Sequence, residues 1–222
     1  MKSYPVTIVD NFFDDPDYVR DLALSLSYTS SSDGRWPGAR SKGVHEIDNN
    51  LFCYISRRIE LLFSQVEPVR WTKAMNFQRI SPYSTDKWDR RNRGWVHCEN
   101  DSPDQKVLFG GIIYLTKDPE PDTGTSIYKA KNGFRFDRDD CDEYKKALYV
   151  GKDFDVDEYN KMYDLHHDQY IETIKCESVY NRLIVFGSDI IHGAQTFGTK
   201  ERLTLPFFCY QPERPLPPLA RF

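Results

Sequence analysis

The chain has 222 residues, 39% of them hydrophobic and 29% charged. That is enough apolar material for a packed core and excludes a disordered or fibrous chain. The net charge of −4 excludes a general attraction to polyphosphate backbones, so nucleic acid is not an expected partner.

The aromatic share of 14% favours strands and pocket walls. Five cysteines, at 53, 98, 141, 176 and 209, form no CxxC pair, which argues against a disulfide framework or a zinc ribbon. The first ten residues lack the apolar core of a signal peptide, and no stretch reaches membrane-spanning length. The expected location is the cytoplasm, or the host cytoplasm for a viral chain, with no membrane partner.

Residues 6–9 read as a short strand. Asp14-Asp15-Pro16 reads as a helix start, and residues 18–26 continue it as an amphipathic helix. Residues 27–43, rich in Ser, Gly and Pro, read as a loop. Residues 50–64 carry Leu51, Ile55, Ile59, Leu62 and Phe63 at helical spacing. The character then changes. Strands are expected at 71–80, 94–98, 107–116, 125–129, 170–178, 182–186 and 202–210, with a turn at 118–124 and a turn and short strand over 187–198. The basic run Arg90, Arg91, Asn92, Arg93 reads as a solvated loop. Residues 131–168 read as a charged, Tyr-rich insertion with helical pieces, and the proline-rich tail as irregular.

Helices followed by many short strands predict a mainly β chain with N-terminal helices (α+β), built as a double-stranded β-helix: a jelly roll, cupin-like. One domain over 1–222 is expected. Residues 1–68 would form a helical support and 69–212 a jelly-roll core, interrupted by the insertion at about 131–168.

Only five histidines occur: His45, His97, His166, His167 and His192. His97 and Glu99, at i and i+2, share one face of an extended strand. With the distant His192 they make two histidines and one carboxylate, a set that caps one face of an octahedral Fe(II) and leaves three positions open. Asp101 is a second candidate carboxylate. His166-His167-Asp168 contains a rival His-x-Asp, but residues 157–165 look helical, where i, i+2 side chains diverge. Surface-helix histidines are expected there.

Ten residues after His192 a strand begins at Arg202-Leu203-Thr204, so Arg202 and Thr204 share a face. A planar guanidinium grips a carboxylate through two hydrogen bonds and keeps its charge when buried. Thr204 adds a hydroxyl, and Tyr114 is a candidate phenol for the same carboxylate. Trp36, Trp88, Trp95, Tyr114 and Tyr128 are candidate stacking aromatics.

His-x-carboxylate, a distal His, then Arg-x-Thr ten residues on resembles the 2-oxoglutarate/Fe(II)-dependent dioxygenase superfamily, and its prolyl-4-hydroxylase-like branch in particular. Phe77-Gln78-Arg79-Ile80-Ser81-Pro82 stands where that branch has its Arg-Tyr-x-Pro-Gly element. Thr123-Gly124-Thr125-Ser126-Ile127-Tyr128 resembles its Gly-Gly-x-Thr-x-Phe turn. Asp10-Asn11-Phe12-Phe13 and Asn181-Arg182-Leu183-Ile184-Val185-Phe186 are similar to uncharacterised bacterial and phage members. Three features depart from the pattern: Glu99 replaces the commoner Asp, residues 81–95 form a longer charged segment, and the 131–168 insertion is unusual. The two extra segments are candidates for a lid.

The resemblance implies a hydroxylase that couples oxidative decarboxylation of 2-oxoglutarate to hydroxylation of a prolyl or other peptidyl residue, or of a small molecule. Its metal would be Fe(II), held by His97, Glu99 and His192, and its co-substrates 2-oxoglutarate and O₂. Arg202, Thr204 and Tyr114 would bind 2-oxoglutarate, and ascorbate is an admissible reductant. Two other classes remain open at this stage: a metal-binding, cupin-like jelly roll without oxygenase turnover, and a zinc hydrolase using the same triad. The latter leaves Arg202 without a task.

Overall fold

Two antiparallel sheets face each other, and their strands alternate in and out as a period of two requires. The computed structural model describes residues 6–62, 72–99, 107–131 and 139–210. In chain order its elements are β1 (Thr7–Val9), α1 (Pro16–Ser25), β2 (Thr29–Ser30), β3 (Ala39–Gly43), α2 (Val44–Ile47), α3 (Asn49–Leu61), β4 (Thr72–Ile80), β5 (Val107–Tyr114) and β6 (Thr125–Ala130). These are followed by α4 (Asp139–Val150), α5 (Val156–His167), β7 (Tyr170–Cys176), β8 (Leu183–Gly187), β9 (Ile191–Ala194) and β10 (Arg202–Tyr210). The larger sheet runs β1-β8-β5-β10-β4-β3-β2 and the smaller β7-β6-β9. This is the jelly-roll architecture expected, an antiparallel double sheet, with α1–α3 packed on the larger sheet and α4 and α5 packed around Trp95.

β10 is the middle strand of the larger sheet and shows the plan. Leu203, Leu205, Phe207 and Cys209 point outward and join α1 and α3 through Val19, Ala23, Leu51, Ile55 and Ile59 in one core. Arg202, Pro206, Phe208 and Tyr210 alternate with them and face a cavity. The α3 residues Leu51, Ile55 and Ile59 recur every fourth position, so one stripe of the helix is buried. Each such side chain contributes roughly 1.5–3 kcal/mol. Helix α1 starts as expected, with the Asp15 carboxylate accepting from the Tyr18 N–H at 3.0 Å and Pro16 in the first turn. A second layer, Tyr114, Ile127, Cys176, Ile184 and Phe186, joins the two sheets.

Packing is tight at Gly111 in the larger sheet. A Cβ there would stand 2.3 Å from the Ile184 carbonyl oxygen and 2.5 Å from Phe207 Cζ. Gly111→Ala is therefore expected to destabilise the chain by roughly 3 kcal/mol, the upper end of overpacking costs, because one obstacle is backbone. Urea unfolding checks this; an unchanged midpoint would refute it.

Three expectations need correction. Residues 27–43 are not all loop. They contain β2 and β3, and β3 pairs with β4 through Ala39↔Arg79, Arg40↔Gln78 and Gly43↔Asn76. This strand is polar and takes its shape from its neighbour. The basic run at 90–93 is ion-paired rather than merely solvated: Arg90 forks onto Asp164, Arg91 onto Asp89, and Asn92 is fully buried. His166 is also buried, unlike a surface-helix residue. It joins Trp95, Tyr159 and Tyr163 under α5, with His166 Nε2 2.7 Å from the Val96 carbonyl. His167 stacks on Tyr163 at 3.8 Å. The insertion is thus bolted to the segment that carries His97, where the strand expected at 94–98 is instead an isolated β-bridge, His97↔His192. Its residues 132–138 lie outside the described residues, as do Asp101 and the tail.

Candidate functional site

His97 and His192 are cross-strand neighbours. The His97 N–H donates to the His192 carbonyl at 2.9 Å and the His192 N–H to the His97 carbonyl at 2.8 Å. Directly opposed residues in an antiparallel pair present their side chains on one face. The imidazole centroids lie 4.4 Å apart. Residues 94–99 thus dock beside β9, and the Glu99 N–H is held by the Ser188 carbonyl at 2.9 Å. That tether turns Glu99 inward, with Oε1 3.4 Å from His192 Nε2 and 3.6 Å from His97 Nε2. The ligand atoms of His97, Glu99 and His192 all lie within 4.8 Å of one another. Among the described residues no other such set is found; His166 and His167 belong to the helix packing.

The donor chemistry fits a divalent ion. His97 Nδ1 lies 2.8 Å from the Trp95 carbonyl, and His192 Nδ1 2.9 Å from the Ile190 carbonyl. A carbonyl only accepts, so both Nδ1 atoms carry the proton and both Nε2 atoms present lone pairs. Burial, aided by His192, lowers the His97 pKa and keeps the ring neutral. Burial would raise the Glu99 carboxyl, but the nearby His192 and His97 rings outweigh it and hold the group well below the usual carboxylate range. Three deprotonated donors converging on one point are what a metal ion requires.

Arg202 lines the same cavity and is buried. Its Nε donates to the Thr123 carbonyl at 3.1 Å, while its Nη2 is buried without a hydrogen-bond partner among the described residues. A buried, unpartnered guanidinium nitrogen is costly unless an anion meets it. Tyr114 lies beneath this arginine, its ring centroid 5.5 Å from Arg202 Cζ, and its hydroxyl donates to Thr125 Oγ1 at 2.8 Å. Burial raises the Tyr114 phenol to about 12, so it stays protonated. Thr204 is buried on the same strand face. Neither Tyr114 nor Thr204 lines the cavity, whereas Thr125 does.

The cavity measures about 320 Å³, the lower end of small-molecule pockets. Of the five aromatics named from the sequence, Trp36 and Trp95 line it; Trp88, Tyr114 and Tyr128 do not. Sequence reasoning missed Arg40 and Lys145, which also line it. The available signal for Arg40 was the run Trp36-Pro37-Gly38-Ala39-Arg40. Gly38 has φ +67° and its missing Cβ would stand 2.2 Å from the Arg79 carbonyl, so the chain turns there hard against β4 and sends Arg40 inward.

Solved structures share this fold. A prolyl-4-hydroxylase from Pseudomonas putida matches 95% of this chain and 94% of its own, at 14% identity and a TM-score of 0.52. A Trichoplax adhaerens prolyl hydroxylase, in complex with a hypoxia inducible factor peptide fragment, matches 93% and 83%, at 11% identity and a TM-score of 0.54. HygX from Streptomyces hygroscopicus, with nickel and 2-oxoglutarate bound, matches 94% and 83%, at 13% identity and a TM-score of 0.58. The chain thus has the jelly-roll fold of prolyl-4-hydroxylase-like 2-oxoglutarate/Fe(II) oxygenases. It belongs to the family of unknown function DUF6445, whose model matches residues 1–203. No curated protein matches it.

Proposed function

We propose that this chain is a 2-oxoglutarate-dependent Fe(II) oxygenase that hydroxylates a small molecule or a peptidyl residue. The observation that carries the reading is one cavity holding both the His97, Glu99, His192 donor set and the unpartnered Nη2 of Arg202. A metal centre and a buried cation in one pocket suit a ligand that chelates at one end and carries a carboxylate at the other. Among the neighbours, HygX binds nickel and 2-oxoglutarate together.

Iron(II) supplies the redox chemistry: O₂, 2-oxoglutarate and a substrate C–H give succinate, CO₂ and the C–OH product. The chain's own residues do the rest. His97, Glu99 and His192 would hold the ion. Arg202 binds the distal carboxylate and fixes the keto acid's direction. Tyr114 and Thr125 support that arginine from below. Ile112, Pro206 and Phe186 give the cavity apolar walls that exclude water. The described cysteines 53, 98, 176 and 209 form no disulfide with one another, in keeping with a reducing cytoplasm, bacterial or host.

Anaerobic addition of Fe(II) and then 2-oxoglutarate is expected to produce a visible metal-to-ligand charge-transfer band, and O₂ to yield succinate. Succinate would not appear with a metal-binding jelly roll without turnover, and neither signal would appear with a zinc hydrolase. A separate outcome is thermal. At 100 times its dissociation constant, Mn(II) should stabilise the folded chain by about 2.7 kcal/mol. Melting with Mn(II) and again after chelator measures this, and identical curves would remove the metal from the reading.

A further inference from the structure

The cavity holds a second arginine, half-buried, that the proposed reaction leaves without a task. Arg40 rises from β3, with its Cζ 4.6 Å from the centre of the Trp36 ring. Its Nε is buried and without a hydrogen-bond partner, and no ion pair forms on its guanidinium among the described residues. Burial lowers its pKa to about 10, which leaves it charged at neutral pH. Glu99 is the carboxylate that acts on it, but no Glu99 oxygen approaches within salt-bridge distance. In the proposed centre that carboxylate is turned to the ion it binds, so it does not serve Arg40.

Charge around the cavity points the same way. Among the described residues, Arg35, Arg40, Lys145 and Arg202 line it against Glu99 alone, although the whole chain is net negative. A divalent ion and a dianionic 2-oxoglutarate cancel each other and leave this positive excess in place. Arg35 and Lys145 have acidic neighbours, Asp33 at 2.8 Å and Asp142 at 3.8 Å. Arg202 is assigned to the co-substrate. The unmatched cation is Arg40, flanked by the aromatic side chains of Trp36 and Phe208. A partly desolvated guanidinium between aromatic faces is a receptor for a carboxylate borne on a flat apolar body.

We propose that the primary substrate is a small aromatic acid whose carboxylate is bound by Arg40 and whose ring lies against Trp36 and Phe208. This rests on the oxygenase reading, since it assigns Arg202 and the metal to 2-oxoglutarate. It makes Arg40 a specificity residue, placed so that the acid's ring lies over the metal side of the cavity.

The test uses the full chain loaded with Mn(II) and saturated with 2-oxoglutarate, without O₂. Calorimetry follows binding of aromatic monocarboxylates, indole-3-acetate, phenylacetate and 4-hydroxybenzoate, each against its primary amide. At least one acid is expected to bind tenfold or more tighter than its amide, and Arg40→Gln to abolish that ratio while leaving 2-oxoglutarate affinity within twofold. Arg202→Gln is expected to do the reverse. Equal binding of acids and amides, binding by none of the acids, or a ratio untouched in Arg40→Gln overturns the proposal. So does an Arg40→Gln loss of 2-oxoglutarate affinity, which would assign this arginine to the co-substrate. Failure of the wild-type chain to bind Mn(II) and 2-oxoglutarate at the outset would instead sink the oxygenase reading.

Discussion

Arg202→Gln is expected to weaken 2-oxoglutarate binding by at least 30-fold while leaving the melting temperature of the ligand-free chain unchanged or raised. The two effects have opposite signs for one reason. Without ligand, Arg202 is a buried cation with an unpartnered Nη2. Burial penalises its charged form and lowers its pKa, an effect only partly offset by Tyr114. Replacing such a group with a neutral side chain removes a desolvation cost. Glutamine retains a donor for the Thr123 carbonyl, the one hydrogen bond the Arg202 Nε makes. With ligand, the same arginine meets a carboxylate, and losing one partner of a buried charge pair costs about 2–5 kcal/mol. That corresponds to roughly 30-fold to several thousand-fold in dissociation constant. Calorimetry with Mn(II) and 2-oxoglutarate, beside melting of the free chain, reads both quantities. A variant that melts lower and binds 2-oxoglutarate as before would make Arg202 a structural residue.

The parts of this arrangement legible in the sequence are those that local patterning encodes. β5 and β10 are apolar runs of strand length, and α3 carries its buried stripe at fourfold spacing. The donor set was legible because histidines are few and His97 and Glu99 have strand spacing. What stayed hidden depends on partners. β3, Ala39–Gly43, has no apolar alternation, and its extended shape comes from pairing with β4. Arg40 was therefore read as loop. His166 looked exposed because α5 buries Tyr159, Tyr163 and His166. Their spacing of four and three is helical, but amphipathic residue types conceal it from a search for aliphatic side chains. The tautomers of His97 and His192 lay beyond any sequence reading, because both are set by backbone carbonyls two residues upstream.

Glu99 carries the other large effect, and its length is part of the expectation. Glu99→Ala should lower metal affinity by more than about 100-fold, beyond what outer-shell partners of a metal site cost. Asp101→Ala, which alters the neighbouring carboxylate outside the described residues, should leave metal affinity nearly unchanged. The informative variant is Glu99→Asp. Aspartate is the commoner residue in the family this motif resembles, so it would pass as conservative. Here the backbone of residue 99 is tied to the Ser188 carbonyl, and the space over Gly110 is filled by Glu99 Cγ, 3.8 Å from where a Cβ would stand. Removing one methylene draws the carboxylate back by about 1.5 Å, against a tolerance of about 0.2 Å in metal–ligand distance. The tether prevents the chain from following. Glu99→Asp should therefore lose at least tenfold in Mn(II) affinity, measured by calorimetry against the parent. Equal or tighter binding by Glu99→Asp would show that this segment moves to meet the ion, and the preorganised triad would give way to one assembled by the metal.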